Sequence, residues 1–357
     1  MMNIIRDFII YKDENSYCAF PCITRCQNGD LLVCFRQAPR EEHAHHHHSM
    51  SRAVTVRSRD DGLTWDETYN YIARDDDIGQ QDPHVTTLDD GSIFAAYFTW
   101  QSHPETENAG IFDAHGELSV GVKNCIWRCC GVHTAISKDN GYTWKTYGKI
   151  TLPNAGRHIF ANAAMHSKAV QLGNRLLLPI RVEAPDSYKH YLIESFDGGA
   201  SWNYVCEMLR APCEKHHYYD EGFLYLTPSG KLICVFRCYD EGGLMEYIVS
   251  GDEGYTWGKP IKTNVWGYPQ TIAPLSGGRT LLTYGYRRDP WGARARILDA
   301  ELNNIDAADE IIIYDKGRHA DLGYPSGIEL NDGSILITYY CSDLNDGIFM
   351  IKGTVIK

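Results

Sequence analysis

Short apolar segments with alternating polarity recur in pairs along the chain, and each pair is separated by a turn that contains glycine. Segments of this kind predict β-strands, and Asn-Gly or Asp-Gly between two of them predicts a hairpin. Six hairpins are predicted in this way. Their turns are Asn28-Gly29, Asp90-Gly91, Gly173-Asn174, Ser229-Gly230, Gly277-Gly278 and Asp332-Gly333, and their second strands are residues 31–36, 93–99, 176–181, 232–237, 281–286 and 335–340.

A second motif, Ser-x-Asp-x-Gly-x-Thr-Trp, follows four of the hairpins. Its copies begin at Ser58, Ser137, Ser195 and Ser250, and the third copy has Ser201 in place of threonine. We interpret the motif as a turn, because Asp accepts backbone hydrogen bonds, Gly adopts positive φ and Trp fills the space between sheets. The copies are spaced by roughly 55 to 80 residues, which suits one four-stranded propeller blade with its loops. A degenerate copy follows the fifth hairpin at residues 298–302.

Six repeated hairpins predict an all-β fold, a six-bladed β-propeller that forms a single domain over residues 1–357. Residues 3–11 (NIIRDFIIY) are β-prone but have no neighbouring segment with which to form a hairpin. We therefore expect this N-terminal strand to complete the last blade and close the ring.

Composition narrows the range of functions. The 357 residues are 43% apolar, enough to form one large core. The formal net charge of −12 argues against nucleic acid or an anionic membrane surface as a partner. No apolar run is long enough to span a bilayer, and the N-terminus lacks the apolar core of a secretory signal. With 12 cysteines and no CxxC pair, we expect free thiols and a cytoplasmic location. No cofactor is predicted.

Topology predicts where chemistry takes place. In a blade, the start of the first strand and the end of the second lie on the same face of the disc, close to the axis. The residues at these ends are rich in functional groups. The starts supply Asp82, His84, His166, Asp220, Glu221, Tyr268 and Tyr324, and the ends supply Arg36, Arg181, Arg237 and Arg287, with Arg288, Arg294 and Arg296 close behind.

Several arginines at one channel indicate an anionic ligand, because like charges repel one another in a partly dry pocket. The forked donors of arginine suit a carboxylate. The alternative is that some of these arginines form structural ion pairs with acids such as Asp82 and Asp220. We keep both interpretations open here.

Three segments resemble the sialidase superfamily, and the repeated octet resembles its Asp-box. Asp220-Glu221, followed by a hairpin that ends in Arg237, is similar to the segment that carries the family's glutamate and second carboxylate-binding arginine. Tyr324-Pro-Ser resembles the catalytic tyrosine segment. Residues 286–296 resemble the region of the third arginine, for which Arg294 is the preferred candidate. The resemblance covers nearly the whole chain.

The resemblance implies that Tyr324 attacks the anomeric carbon while Glu221 takes its proton. An unaided phenol has a pKa of about 10 and is a poor nucleophile at neutral pH, so the pair is chemically necessary. Sialidases with a tyrosine nucleophile are the exception to the usual two-carboxylate mechanism of glycosidases.

Two departures from the family occur in the first blade. Ala19 stands where the family has its first carboxylate-binding arginine, and residues 37–51 contain no aspartate to serve as the acid/base. That loop contains Glu42 and His45, which we consider as proton donors. The histidine-rich run at residues 43–48 is otherwise a solvated loop or a metal-binding segment.

The sequence thus favours an exo-acting glycoside hydrolase that removes a terminal, acidic sugar from a glycan. Two alternatives remain: a polysaccharide lyase that acts on a uronate-containing glycan, and a non-catalytic sugar-binding propeller.

Overall fold

The computed structural model describes residues 3–40, 48–104, 119–120, 125–154, 163–184, 187–212, 219–239 and 242–357. Within these ranges the chain forms 26 β-strands and no helix, so none of the described segments is a helix that could cross a membrane. The strands form six antiparallel sheets, which confirms the predicted six-bladed β-propeller.

The strands follow one another blade by blade. β1 (Ile4–Lys12) precedes the first blade, which contains β2 (Ser16–Arg25), β3 (Leu31–Pro39), β4 (Arg52–Ser58) and β5 (Asn70–Ala73). The second blade contains β6 (Gly79–Thr87), β7 (Ile93–Pro104), β8 (Ser119–Val120), β9 (Cys125–Ser137) and β10 (Lys145–Lys149). The third contains β11 (Ala163–Ala164), β12 (Val170–Leu172), β13 (Arg175–Ala184), β14 (Ser187–Ser195) and β15 (Asn203–Pro212).

The other three blades have four strands each. The fourth contains β16 (Tyr219–Leu226), β17 (Leu232–Cys238), β18 (Leu244–Ser250) and β19 (Ile261–Trp266). The fifth contains β20 (Gln270–Leu275), β21 (Arg279–Tyr286), β22 (Gly292–Asp299) and β23 (Ile311–Tyr314). The sixth contains β24 (Gly323–Glu329), β25 (Ile335–Ser342) and β26 (Phe349–Ile356), and β1 pairs with β26 as its outer strand. The N-terminal strand therefore closes the ring.

The first strand of each blade is the innermost, and these strands contact one another around the axis. β2, for example, contacts both β24 and β6. Buried apolar side chains fill the space between adjacent blades, as where Val33 of the first blade packs in one cluster with Leu336 and Ile351 of the sixth. Each blade thus buries its faces against its two neighbours, as the repeated alternating strands predict.

The octet forms the turn between the third and fourth strands of a blade; we call residues 58–65, 137–144, 195–202 and 250–257 the box turns. In the first, Asp60 Oδ1 accepts hydrogen bonds from the Thr64 amide and the Ser58 hydroxyl, both at 2.8 Å. The glycine has positive φ and lies against the preceding blade. A Cβ atom on Gly199 would be 2.3 Å from the Phe94 ring, so both backbone conformation and packing require glycine there.

Candidate active site

Four innermost strands have a bulge at the same place, where one residue has positive φ. These axial bulge residues are Phe20 (φ 58°), Asp82 (47°), Glu221 (44°) and Tyr324 (48°). The pairing register of each strand with its neighbour shifts at these positions. The left-handed conformation is unfavourable for such residues and is often found at functional sites. Each of the four precedes a proline or a glycine, which is a signal visible in the sequence.

Tyr324 and Glu221 meet at the axis, although 103 positions separate them in sequence. The Tyr324 hydroxyl donates a hydrogen bond to Glu221 Oε1, and Arg237 Nη1 donates to Glu221 Oε2 at 2.9 Å. The Phe20 ring packs edge-on against Tyr324, with centroids 4.4 Å apart. Gln270 Nε2 donates to the backbone carbonyl of Glu221 at 2.7 Å, and this contact fixes the strand that carries the carboxylate.

The protonation states of this pair follow from its surroundings. Burial alone would raise the pKa of Glu221, but Arg237 above all, together with His166, the Tyr324 hydroxyl and Arg287, lowers it to about 2. Burial, followed by the Glu221 charge, raises the pKa of Tyr324 well above its usual range. Glu221 is therefore a carboxylate and Tyr324 a neutral phenol at physiological pH.

Two arginines flank the pair. The Arg237 guanidinium lies 4.0 Å from the ring centroid of the partly exposed Tyr268. The Arg287 guanidinium lies 5.5 Å from the Tyr324 ring and 5.7 Å from the Tyr268 ring, and its Nε donates to the Leu322 carbonyl at 3.1 Å. Both positive charges therefore lie where a phenolate formed on Tyr324 would be stabilised.

A second ion pair lines the same cavity. Arg181 Nε lies 3.1 Å from Asp220 Oδ1, which also accepts the Glu221 amide at 2.8 Å. Burial raises the pKa of Asp220, against the opposing effect of Arg181. For Arg181, the structure thus shows the ion pair that we considered as the alternative to anion binding.

A buried group of Asp82, His84 and His166 lies next to the tyrosine. His166 Nδ1 is 2.7 Å from Asp82 Oδ2, and its Nε2 is 3.1 Å from the Gln270 carbonyl. The rings of His84 and His166 are perpendicular with centroids 4.7 Å apart, and the His166 ring is 5.2 Å from the Tyr324 ring. His84 Nδ1 lies 3.1 Å from the Asp82 carbonyl.

Among the described residues, Asp82, His84 and His166 are a set whose donor atoms, all within 4.8 Å of one another, are close enough for a metal ion. The hydrogen-bond geometry argues against that use. Both nitrogens of His166 face oxygen acceptors, and a nitrogen that carries a proton has no lone pair for a metal.

Most of the predicted residues come together around one small cavity. It is lined by Asp82, His166, Arg181, Asp220, Glu221 and Tyr324, among others. Next to the cavity, Arg237 contacts Glu221, and Arg287 lies over the Tyr268 ring. His84 Nδ1 lies 3.6 Å from Asp82 Oδ1. His45 and Glu42 lie outside the described residues.

Arg36 and Arg294 are both buried, and neither is among the residues that line this cavity. The Arg36 side chain is fully buried, with its guanidinium 5.2 Å from the Tyr17 ring, and burial lowers its pKa to about 10. Arg294, also buried, donates to the Tyr314 carbonyl at 2.6 Å and lies 3.5 Å from Glu310. Arg294 is on β22, the third strand of its blade and two strands from the axis, so its assignment as the third carboxylate-binding arginine stays a prediction.

Sequence reasoning missed Gln270, which begins β20 two residues after Tyr268. It also missed Asp321, which accepts hydrogen bonds from the hydroxyls of Tyr340 at 2.7 Å and Tyr17 at 3.1 Å. Asp321 lies just before β24, outside both the repeated hairpins and the box turns, so no sequence pattern points to it.

The fold defines a class, the sialidase-like six-bladed propellers, and confirms the resemblance drawn from the sequence. The chain belongs to the BNR repeat-like domain family, whose model matches residues 117–337.

Solved structures share this fold. A protein of unknown function from Dyadobacter fermentans is 27% identical with a TM-score of 0.89, and the match covers 100% of this chain and 99% of that chain. The intramolecular trans-sialidase from Ruminococcus gnavus, in complex with oseltamivir carboxylate, is 14% identical with a TM-score of 0.66 over 99% and 97% of the two chains. The Penicillium chrysogenum α-L-arabinanase complexed with arabinobiose is 14% identical, with a TM-score of 0.64 over 99% and 98%. No curated protein matches the chain.

Proposed function

We propose that this protein is an exo-acting glycoside hydrolase that releases a terminal, acidic sugar from a glycan, with Tyr324 as nucleophile and Glu221 as its base. The observation that carries the proposal is the hydrogen bond from the Tyr324 hydroxyl to Glu221, whose other oxygen is held by Arg237. A phenol and an ionised carboxylate in contact, at a cavity on the propeller axis, are the minimum that a tyrosine nucleophile requires.

The first half of the reaction forms a tyrosyl-enzyme. Glu221 takes the phenolic proton as Tyr324 Oη bonds to the anomeric carbon, and the bond from that carbon to the leaving oxygen breaks. The leaving oxygen takes a proton from an acid. In the second half, water attacks the anomeric carbon as the bond from that carbon to Tyr324 Oη breaks. The acid of the first half, now a base, takes one proton from the water, and Glu221 returns the phenolic proton to Tyr324 Oη. Arg237 and Arg287 stabilise the charge that develops on Tyr324 Oη.

The charges at the axis support an anionic substrate. Arg181, Arg237, Arg287 and a protonated His166 supply four positive charges, whereas Asp82, Asp220 and Glu221 supply three negative charges. A carboxylate on the sugar would balance the excess, and paired guanidinium donors suit that group. The partly exposed Tyr268 lies against both Arg237 and Arg287 and contributes an aromatic ring to the same region.

The acid that protonates the leaving group stays a prediction. Glu42 and His45 are our candidates from the loop of the first blade, and both lie outside the described residues. His166 is unsuited to the task because both of its ring nitrogens face acceptors inside the protein.

The test is hydrolysis of a panel of aryl glycosides of acidic sugars, including sialic acid and uronic acids, by wild type and by Tyr324→Phe. We expect release of the chromophore by wild type and a loss of more than about 10³-fold in kcat/KM for Tyr324→Phe. A fluorinated sugar that slows the second half-reaction should leave a covalent adduct on the peptide that contains Tyr324, detected by mass spectrometry.

A matched control is Tyr255→Phe, because Tyr255 is exposed in the fourth box turn. This variant should retain full activity. Full activity in folded Tyr324→Phe would exclude Tyr324 as the nucleophile. A product that absorbs in the ultraviolet because it is unsaturated would instead indicate a polysaccharide lyase, and binding of the panel without turnover would indicate a sugar-binding propeller.

A further inference from the structure

His166 is buried at the axis, and both of its ring nitrogens contact atoms that accept hydrogen bonds. The Gln270 carbonyl can only accept, so His166 Nε2 carries a proton. Nδ1 is 2.7 Å from an oxygen of Asp82, a length typical of a bond between an imidazolium and a carboxylate. The geometry therefore requires protons on both nitrogens unless Asp82 itself is protonated.

These contacts connect four blades across the axis. Asp82 is on β6 in the second blade, His166 follows β11 in the third, and Gln270 begins β20 in the fifth. The Gln270 side chain continues the path to the fourth blade, where its amide nitrogen donates to the carbonyls of Glu221 at 2.7 Å and Val235 at 2.8 Å. A displacement of His166 would thus pass to the backbone of Glu221 through one residue.

The groups that face His166 explain why a positive charge is stable there. Asp82 contacts it directly, and His84 on the same strand presents its ring edge. Glu221 and Tyr324 face it from β16 and β24, and Arg181 lines the same cavity from β13. Burial acts to lower the pKa of His166, but Asp82 and then Glu221 raise it to about 9. By contrast, burial lowers the pKa of His84, which is neutral.

We propose that His166 is a positioning residue that stays protonated, is anchored by Asp82, and holds Glu221 ionised and in place beside Tyr324. The role rests on the proposed function of Glu221, but the protonation of His166 does not. His166 does not touch the reacting atoms in this scheme; it acts on Glu221 through charge and through Gln270.

The first experiment determines the protonation directly. Nitrogen-15 NMR of the 357-residue protein labelled at histidine, compared with His166→Gln to assign the signal, should show protons on both ring nitrogens of His166 from pH 6 to pH 8. His190 is an internal control, because its Nε2 is 3.1 Å from the Tyr219 carbonyl and burial lowers its pKa, so that only one nitrogen should carry a proton. The result does not depend on whether the protein hydrolyses any glycoside.

A single protonated nitrogen on His166 at neutral pH would overturn the proposal. So would one equivalent of a divalent metal in the purified protein, measured by mass spectrometry, whose removal with EDTA changes the His166 signals. The three groups Asp82, His84 and His166 would then be a metal site.

The second experiment uses the pH profile of hydrolysis. Removing a positive charge near Glu221 should raise the pKa of Glu221, so the acid limb of kcat should move to higher pH by on the order of one unit in His166→Gln. We expect kcat to fall about tenfold or more with little change in KM. His166→Asn, which keeps a donor near Asp82 but not near Gln270, should show the same shift. A folded variant with lower thermal stability but an unmoved acid limb would reduce His166 to a structural role.

Discussion

The box turns and the axial bulges are both repeated from blade to blade, but the two regions differ in what the repeat keeps. In the box turns the same side chains make the same contacts. The Thr64, Thr143 and Thr256 amides donate to Asp60, Asp139 and Asp252 at 2.8 to 2.9 Å. In the axial bulges the backbone conformation is the same from blade to blade but the side chains differ: they are Phe20, Asp82, Glu221 and Tyr324.

This difference indicates that the box turns serve folding and that the axial bulges serve the candidate active site. A turn that closes a blade has one task, so the same residues perform it each time. The bulges surround one axis, and a cavity lined by four identical side chains could not place a phenol, a carboxylate and arginines around one substrate. The left-handed backbone at the bulges directs these side chains inward, and the rigid blades sustain the unfavourable conformation.

Replacing Glu221 should greatly reduce activity and should leave the repeated blades intact. Glu221→Gln can accept the Tyr324 hydrogen bond through its amide oxygen but cannot take the proton. We expect kcat to fall by about 10³-fold while the midpoint of thermal unfolding changes by only a few degrees. The measurement is hydrolysis of the best aryl glycoside with calorimetry in parallel.

The control for Glu221→Gln is Glu67→Gln, whose side chain is exposed next to the first box turn. It should leave kcat unchanged. If Glu221→Gln retained wild-type activity, the axial bulges would be as purely structural as the box turns, and the contrast between the two regions would disappear.

Replacing a glycine in a box turn should have the opposite effect: the protein should lose stability but keep its catalytic activity. The methyl group that Gly199→Ala adds cannot be accommodated, because the new Cβ would be 2.3 Å from the Phe94 ring while φ is 91°. We expect a loss of about 3 kcal/mol in the free energy of unfolding, from overpacking and left-handed strain together.

Gly230→Ala separates these two contributions. Gly230 has φ 85°, and nothing lies within 4 Å of its Cβ position, so only the strain remains and the loss should be about 1 kcal/mol. Urea unfolding of both variants gives the comparison. Equal losses would mean that the packing of the box turn on the preceding blade contributes nothing.

The sequence was sufficient to predict the ring. Repeated hairpins, the four box turns and the unpaired N-terminal segment identify six blades, because each of these signals is local. The pairing of Tyr324 with Glu221 was predicted from the resemblance to sialidases and from topology together. Its assigned chemistry stays a prediction.

Other parts of the site depend on side-chain directions that no local pattern encodes. Arg287 and Arg294 are both near the end of the second strand in sequence, but only Arg287 reaches Tyr324. Arg36 ends an inner hairpin as Arg237 does, yet it is buried beside Tyr17. The His166 contacts with Asp82 and Gln270 span 84 and 104 positions, so spacing could not reveal them.

The smallest expected effect concerns acid stability at a box turn. Burial acts to raise the pKa of Asp60, but hydrogen bonds from Thr64 and Ser58 lower it to about 2 from 3.8. The depressed pKa means that this contribution to stability is present above about pH 4 and is lost as the pH falls through 2.

Asp60→Asn should therefore cost about 1 kcal/mol at pH 7, a figure reduced for solvent screening, and much less at pH 2. Asp76→Asn, at an exposed position outside any box turn, should cost nothing at either pH. Urea unfolding at both pH values provides the measurement. A cost for Asp60→Asn that did not change with pH would show that the shape of the side chain, and not its charge, holds the turn. The box turns would then owe their uniformity to packing alone, whereas the axial bulges would still differ from one another because each places a different functional group at the axis.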